Sequence, residues 1–143
     1  MMTGIEAADK DKTKSLKQPD LKQINTTALA YMGDAVYEQA VREHIIREGR
    51  YRANDMHRTA IRFVRASAQA DIIKTIFDEL TEQEQALVKR ARNRKYHTKA
   101  KNADPVTYKW ATAFEALIGY LYLAGENDRL EAVMSRAIEI VGK

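Results

Sequence analysis

The sequence predicts an all-α domain, on three observations. Apolar residues recur at helical spacing almost throughout, no alternating run bounded by turn residues suggests a strand, and cap residues stand where the periodic segments begin and end. Residues 1–20 mix Lys10, Lys12, Lys14 and Lys17 with Asp9 and Asp11 and hold no apolar run. They are expected to form a disordered tail, neither signal peptide nor anchor, ahead of a folded domain over residues 21–143.

Six helices are expected. The first opens at Asn25 or Thr26, carries Leu29, Met32, Val36 and Ile45 on a broad apolar side, and ends at Gly49. A second runs from an Asn54 cap to about Arg65. A third, started by Ser67, holds Ile72, Ile73, Ile76, Phe77 and Leu80. Thr81-Glu82-Gln83-Glu84 has capping-box spacing and opens a fourth helix through Leu87 and Val88 whose far end is strongly basic. Asp104-Pro105 reads as a cap followed by a first-turn proline, launching a fifth helix through Trp110, Phe114, Leu117, Ile118 and Leu121 to Gly125. The last covers about Asp128 to Val141 and stops at Gly142.

Composition sets the outer limits. A chain of 143 residues is one domain's length, long enough to bury roughly 68–70% of the surface its unfolded form exposes. Cysteine is absent, which removes disulfides, thiolate nucleophiles and cysteine zinc sites and fits a reducing cytoplasm. No apolar stretch approaches the roughly 20 residues that span a bilayer, so no membrane association is expected. The net charge of +4 favours a nucleic acid or acidic partner. His44, His57 and His97 lack metal-ligand spacing, and neither a glycine-rich phosphate loop nor an acid–histidine pattern beside Ser67 or Thr112 occurs.

Two acids stand out. Asp34 and Glu115 each lie inside an otherwise apolar helical stretch, where a charge is rarely carried unless it is paired or binds a metal. Gly33 precedes Asp34 and Gly119 follows Glu115 by one turn, although an interior helical glycine costs about 1 kcal/mol relative to alanine. Such glycines mark close backbone approach. If the two helices cross there, Asp34 and Glu115 supply oxygen ligands to one hard cation, and Mg2+ suits them because it binds through one or two carboxylates and keeps several waters. The competing reading makes each acid a partly buried group satisfied by an arginine or a helix N-terminus.

The basic candidates fall in two groups. Residues 89–101 hold seven Lys or Arg and no acid, more than a helix C-terminus needs for its dipole. Lys89, Arg90, Arg92, Asn93, Arg94, Lys95, Lys99 and Lys101 are the candidate phosphate contacts. Arg58, Arg62 and Arg65 form a second stripe at i, i+4, i+7, with His57, Ser67 and Gln69 near its ends. Together they would form a groove that tracks a duplex backbone, giving salt-dependent affinity with little sequence choice. Double-stranded RNA is the expected partner, read largely by shape and 2′-hydroxyls.

These residues resemble a known family. Leu29-Ala30-Tyr31-Met32-Gly33-Asp34-Ala35-Val36 is similar to the signature helix of the ribonuclease III catalytic domain, and Phe114-Glu115-Ala116-Leu117-Ile118-Gly119 to its second acidic motif. Asn54-Asp55-Met56-His57-Arg58, Ser67-Ala68-Gln69-Ala70 and the stretch from Arg92-Asn93 to Lys101-Asn102-Ala103-Asp104 resemble the Mini-ribonuclease III subfamily, as does the lack of sequence left over for a double-stranded-RNA-binding domain. The resemblance covers about Asn25 to Val141. It implies a ribonuclease III-like helical fold and a homodimeric, Mg2+-dependent endoribonuclease, with Asp34 and Glu115 as the catalytic and metal-holding acids. It further implies 5′-phosphate and 3′-hydroxyl products, a large-subunit (23S) ribosomal RNA precursor as substrate, and a large-subunit ribosomal protein as a possible helper.

The sequence also departs from the wider family. Full-length ribonuclease III enzymes place four acids in each site, whereas Ala30 stands four residues before Asp34 and Thr112 three before Glu115. The Mini subfamily shares this reduced set. Glu38 and Asp104 are spare acids that could act through water, against an ion pair for the first and capping for the second. Met32, Val36, Tyr37 and Trp110 are the interface candidates, although Met and Trp at helical spacing more often fill a core. A non-catalytic RNA-binding or ribosome-assembly protein of the same fold, and a helical partner-binding module, remain alternatives.

Overall fold

The computed structural model describes residues 18–95 and 104–142, with side chains from residue 21 onward. Among these, every regular element is helical: α1 (Gln18–Gln23), α2 (Thr26–Arg47), α3 (Ala53–Val64), α4 (Ala66–Ile76), a 3-10 turn (Phe77–Glu79), α5 (Glu82–Asn93), α6 (Pro105–Leu123) and α7 (Asn127–Gly142). All six expected helices are present. Most of the expected tail lies outside the described residues, and its last three positions open α1.

Helix α6 is the axis of the domain. From Ala111 to Leu121 every residue except Glu115 is buried, the pattern of a helix enclosed on all sides. Its most extensive contact is with α2, followed by α4 and α5. Tyr37 of α2 meets Phe114 of α6 edge to face, with ring centroids 4.9 Å apart and planes at 85°, a geometry worth about 1 kcal/mol beyond the area it buries.

The caps explain most boundaries. Asn25 accepts from the Ala28 N–H at 2.8 Å, and the Thr81–Glu84 box closes in both directions at 3.0 and 3.1 Å. Asp104 accepts from the Val106 and Thr107 N–H groups and from the Thr107 hydroxyl. Gly49, at φ +84°, lets the Arg50 N–H return to the Ile45 carbonyl and end α2. Three boundaries differ from expectation. Helix α3 starts after Arg52, with Asn54 already inside it, and α4 starts after Arg65, whose extended backbone both ends α3 and opens α4. Helix α4 gives way to the 3-10 turn after Ile76, and Leu80 is buried beyond it.

A bidentate ion pair ties α5 to α7. Arg129 donates to the two carboxylate oxygens of Glu84 at 2.8 and 2.9 Å, and Arg136 pairs with Glu79 at 3.1 Å. Burial opposes the charge on Glu84, but the bonds from Arg129 and the Thr81 N–H outweigh it and hold the carboxyl below its ordinary range.

Candidate functional site

The site begins with two glycines. A Cβ placed on Gly33 would fall on the Glu115 carbonyl oxygen and lie 2.8 Å from the Gly119 nitrogen; one on Gly119 would fall on the Leu29 carbonyl oxygen and lie 3.0 Å from the Gly33 nitrogen. Only hydrogen fits at either position. Helices α2 and α6 therefore touch backbone to backbone, and this contact brings Asp34, next to Gly33, against Glu115, one turn before Gly119.

The two carboxylates differ in setting. Asp34 is exposed, while Glu115 is partly sunk among Phe114, Leu117 and Ile118. Burial, then the charge of Asp34 and direct contact with it, push the Glu115 carboxyl up to about 8, while a hydrogen bond from Gln69 pulls the other way. No lysine or arginine is among the groups that shift it. The competing reading, an acid satisfied by an arginine or a helix N-terminus, does not describe Glu115. Two adjacent carboxylates, one of them partly buried, repel each other, and their hard oxygen donors fit a hard divalent cation. Among the described residues no group of three or more His, Asp or Glu side chains is placed to hold a metal ion.

Gln69 is placed differently from its expected role. Its spacing places it with the RNA-facing residues, yet it is 2% exposed on α4 and turns its side chain to Glu115. A signal was present in the sequence: Gln69 lies three, four and seven residues before Ile72, Ile73 and Ile76, on the apolar side of its helix. The spare acids are also accounted for. Glu38 pairs with Arg42 at 3.1 Å, and Asp104 caps α6, eleven residues or about 16 Å of helix rise away from Glu115. Bonds from Thr107 and Val106 hold Asp104 below its usual range. Thr112 donates its hydroxyl to the Tyr108 carbonyl at 2.9 Å, and Ala30 is buried.

Ion pairing sorts the basic residues. Arg42, Arg47, Arg50, Arg129 and Arg136 are held by acids. Among the described residues, Arg58, Arg62, Arg65, Lys89, Arg90, Arg92, Arg94 and Lys95 form no ion pair, and all but half-buried Arg92 are exposed. Ser67 and Asn93 are exposed as well, and Asn93 accepts from Arg92 at 3.0 Å. Arg92 lies over the Trp110 ring at 4.9 Å, and Lys74, absent from the sequence expectation, approaches the same ring at 5.7 Å. Lys99 and Lys101 lie outside the described residues, as does His97. Of the interface candidates, Tyr37 is fully buried within its own chain and belongs to the core, while Met32, Val36 and Trp110 are half-buried. Tyr31, one turn before Asp34, is 84% exposed.

Comparison with known proteins agrees with this architecture. The chain matches the ribonuclease III domain family over residues 27–126. It is 51% identical over 113 residues to the Mini-ribonuclease 3 of Symbiobacterium thermophilum, covering 79% of this chain and 87% of that one. It is 45% identical to the Mini-ribonuclease 3 of Enterococcus faecalis, covering 87% and 96%. A crystal structure of a protein from Fusobacterium nucleatum superposes with a TM-score of 0.74 at 29% identity, covering 84% of this chain and 96% of that one. An all-α fold with a glycine-seated pair of acids thus defines a ribonuclease III-type domain, and the chain belongs to the ribonuclease III family, among its Mini-ribonuclease III members. Among the described residues no helix is long and apolar enough to cross a membrane.

Proposed function

We propose that this protein is a Mg2+-dependent endoribonuclease that cleaves double-stranded RNA, with Asp34 and Glu115 as the carboxylates that hold the cation. The observation that carries the reading is the glycine-to-glycine crossing of α2 and α6, which seats the two acids side by side. When bound, the cation supplies a nucleophilic water near neutral pH and neutralises charge on the phosphoryl oxygens and the leaving 3′ oxygen. The chain's own residues bind and orient. Asp34 faces solvent and the substrate side, and Glu115 is anchored from behind by the Gln69 amide. The unpaired cations Arg58, Arg62, Arg65, Lys89, Arg90, Arg92, Arg94 and Lys95 hold the phosphate backbone, with Lys99 and Lys101 continuing the second group.

The finer assignments rest on the resemblance. They are 5′-phosphate and 3′-hydroxyl products, a large-subunit ribosomal RNA precursor as substrate in the cytoplasm, and a homodimer in which each site cuts one strand. A two-fold protein matches the approximate two-fold symmetry of a duplex backbone, and exposed Tyr31 beside Asp34 is an aromatic surface that a second copy could cover.

Cleavage of duplex RNA in Mg2+, compared among the parent, Asp34→Asn and Glu115→Gln, tests the assignment. Loss of cleavage in both variants with RNA binding retained is the expected result. RNA binding without cleavage by the parent would instead assign the non-catalytic reading, and neither activity would leave a helical partner-binding module.

A further inference from the structure

Three helices meet at one ring. Trp110, early in α6, is half-buried against the core. The Arg92 guanidinium, from α5, lies 4.9 Å from its ring centroid, and the Lys74 ammonium, from α4, lies 5.7 Å from the same centroid. The attraction between a cation and a ring face strengthens as both lose water. Arg92 is itself half-buried, and its Nε donates to the Asn93 side-chain oxygen at 3.0 Å. A planar group held by a ring and bonded at Nε has its terminal nitrogens fixed in place, and that fork matches a phosphate.

The two cations on this ring repel each other. Asp104, the cap of α6, feels the Lys74 charge, but its carboxylate is engaged by Val106 and Thr107. Residues 96–103, outside the described residues, include Lys99 and Lys101 and no acid. An arriving anion relieves the repulsion. The ring is also in register with the acid pair. Gln69 of α4 meets Glu115 of α6, and Lys74, five residues further along α4, meets Trp110, five residues back along α6. The two helices therefore run in opposite directions along one seam, and its two contacts lie about 7.5 Å of helix rise apart. At one phosphate per strand for every 3.4 Å of duplex axis, that is about two nucleotide steps.

We infer that Trp110 is a positioning residue for the reaction: it holds Arg92 and Lys74 as a clamp on the RNA backbone phosphate about two nucleotides from the one that meets Asp34 and Glu115. The inference rests on the proposed function and adds Lys74 and the ring to it. Phosphate contacts fix where a protein sits on a duplex. A contact built on the helix that carries Glu115 fixes that position relative to the acids, which a cation on a separate surface helix does not.

Trp110 is the chain's single tryptophan, so its fluorescence reads the clamp directly. In EDTA, a short RNA duplex is expected to change the Trp110 emission, and the double variant Arg92→Gln, Lys74→Gln should lose most of that change while still binding. By anisotropy of a labelled duplex, Trp110→Leu should weaken binding about tenfold, the value of a hydrogen bond to a charged group, and reduce the slope of log K against log salt by about one. Trp110→Tyr, which keeps an aromatic face, should restore both. Arg92→Gln added to Trp110→Leu should cost little more than either alone. In Mg2+ the Trp110→Leu loss should fall in KM, which a smaller folded fraction would not move. Additive losses in that pair, or an emission that stays still while the duplex binds, overturn the clamp and leave the nuclease reading intact. A coupled pair in a protein that binds duplex RNA but does not cleave it refutes the proposed function and, with it, the clamp's part in the reaction.

Discussion

Replacing Glu115 with glutamine should stabilise the metal-free protein and abolish its Mg2+ response. Glu115 titrates near 8 in the fold, against 4.5 for the free side chain, because burial and Asp34 disfavour its charge. Between those values the folded protein binds a proton that the unfolded chain has released, so stability falls as pH rises. At 1.36 kcal/mol per unit, and reduced because the carboxylate still touches solvent, the loss by pH 9 is on the order of 4 kcal/mol. For a domain of this size that is about 10 °C in Tm. A neutral glutamine keeps the shape and removes the titration. Thermal unfolding in EDTA from pH 5 to 9 should show a falling parent, a nearly flat Glu115→Gln, and Asp34→Asn between them. Added Mg2+ should then raise the parent alone, by RT ln(1 + [Mg2+]/Kd). Parallel profiles for parent and Glu115→Gln would refute the claim that the acids are forced together.

Gly119→Ala would gain about 1 kcal/mol of helix propensity but drive a methyl into the Leu29 carbonyl. A net loss above 2 kcal/mol in chemical denaturation is expected, with Gly142→Ala, which meets nothing, as the benign control. Gln69→Leu should weaken Mg2+ or Mn2+ binding by calorimetry about tenfold or more, while the salt dependence of RNA binding stays unchanged. A changed salt slope would return Gln69 to the RNA surface. Arg129→Met leaves Glu84, 7% exposed, without its partner, and should cost about 2–3 kcal/mol at pH 7. Because the Glu84 carboxyl is held low, its stabilisation is present above the unfolded value of about 4.5 and is lost as pH falls below that. The variant and parent should therefore converge in acid.

The acid pair was legible because its signals are local. A charge in an apolar run and a glycine where alanine would serve better can each be read within one turn of helix. The burial of Gln69 is not legible because it depends on α4 packing against α6, a contact between segments some forty residues apart, while its neighbours Arg65 and Ser67 suggest a wet surface. Tyr37 follows the same logic. One turn beyond Gly33, it is carried onto Phe114 by the crossing that the glycines permit, so a residue that reads as an interface candidate is core. Which arginines are free to meet phosphate could not be read from spacing at all. Arg129 and Arg136 find Glu84 and Glu79, 45 and 57 residues earlier in the chain, whereas Arg58 and Arg62 find no acid among the described residues.

Placing the acids at the central helix crossing makes the site inseparable from the core. Glu115 sits on the most enclosed helix, and its orientation is fixed by packing on both sides and by Gln69 from a third helix. Asp34 shares that rigid backbone but projects to solvent. One carboxylate thus carries the cost of burial, while the other stands in solvent. A site in which both acids were exposed would lose the fixed geometry, and one in which both were buried would exclude the RNA. The asymmetry gives the two positions different tolerances. Asp34→Glu lengthens a side chain that solvent can accommodate and should retain partial cation binding. Glu115→Asp withdraws a carboxylate from Gln69 on a backbone that cannot move toward it, and should bind the cation more weakly than Asp34→Glu does. Equal losses in the two variants, measured by cation titration, would mean that burial plays no part in positioning the pair.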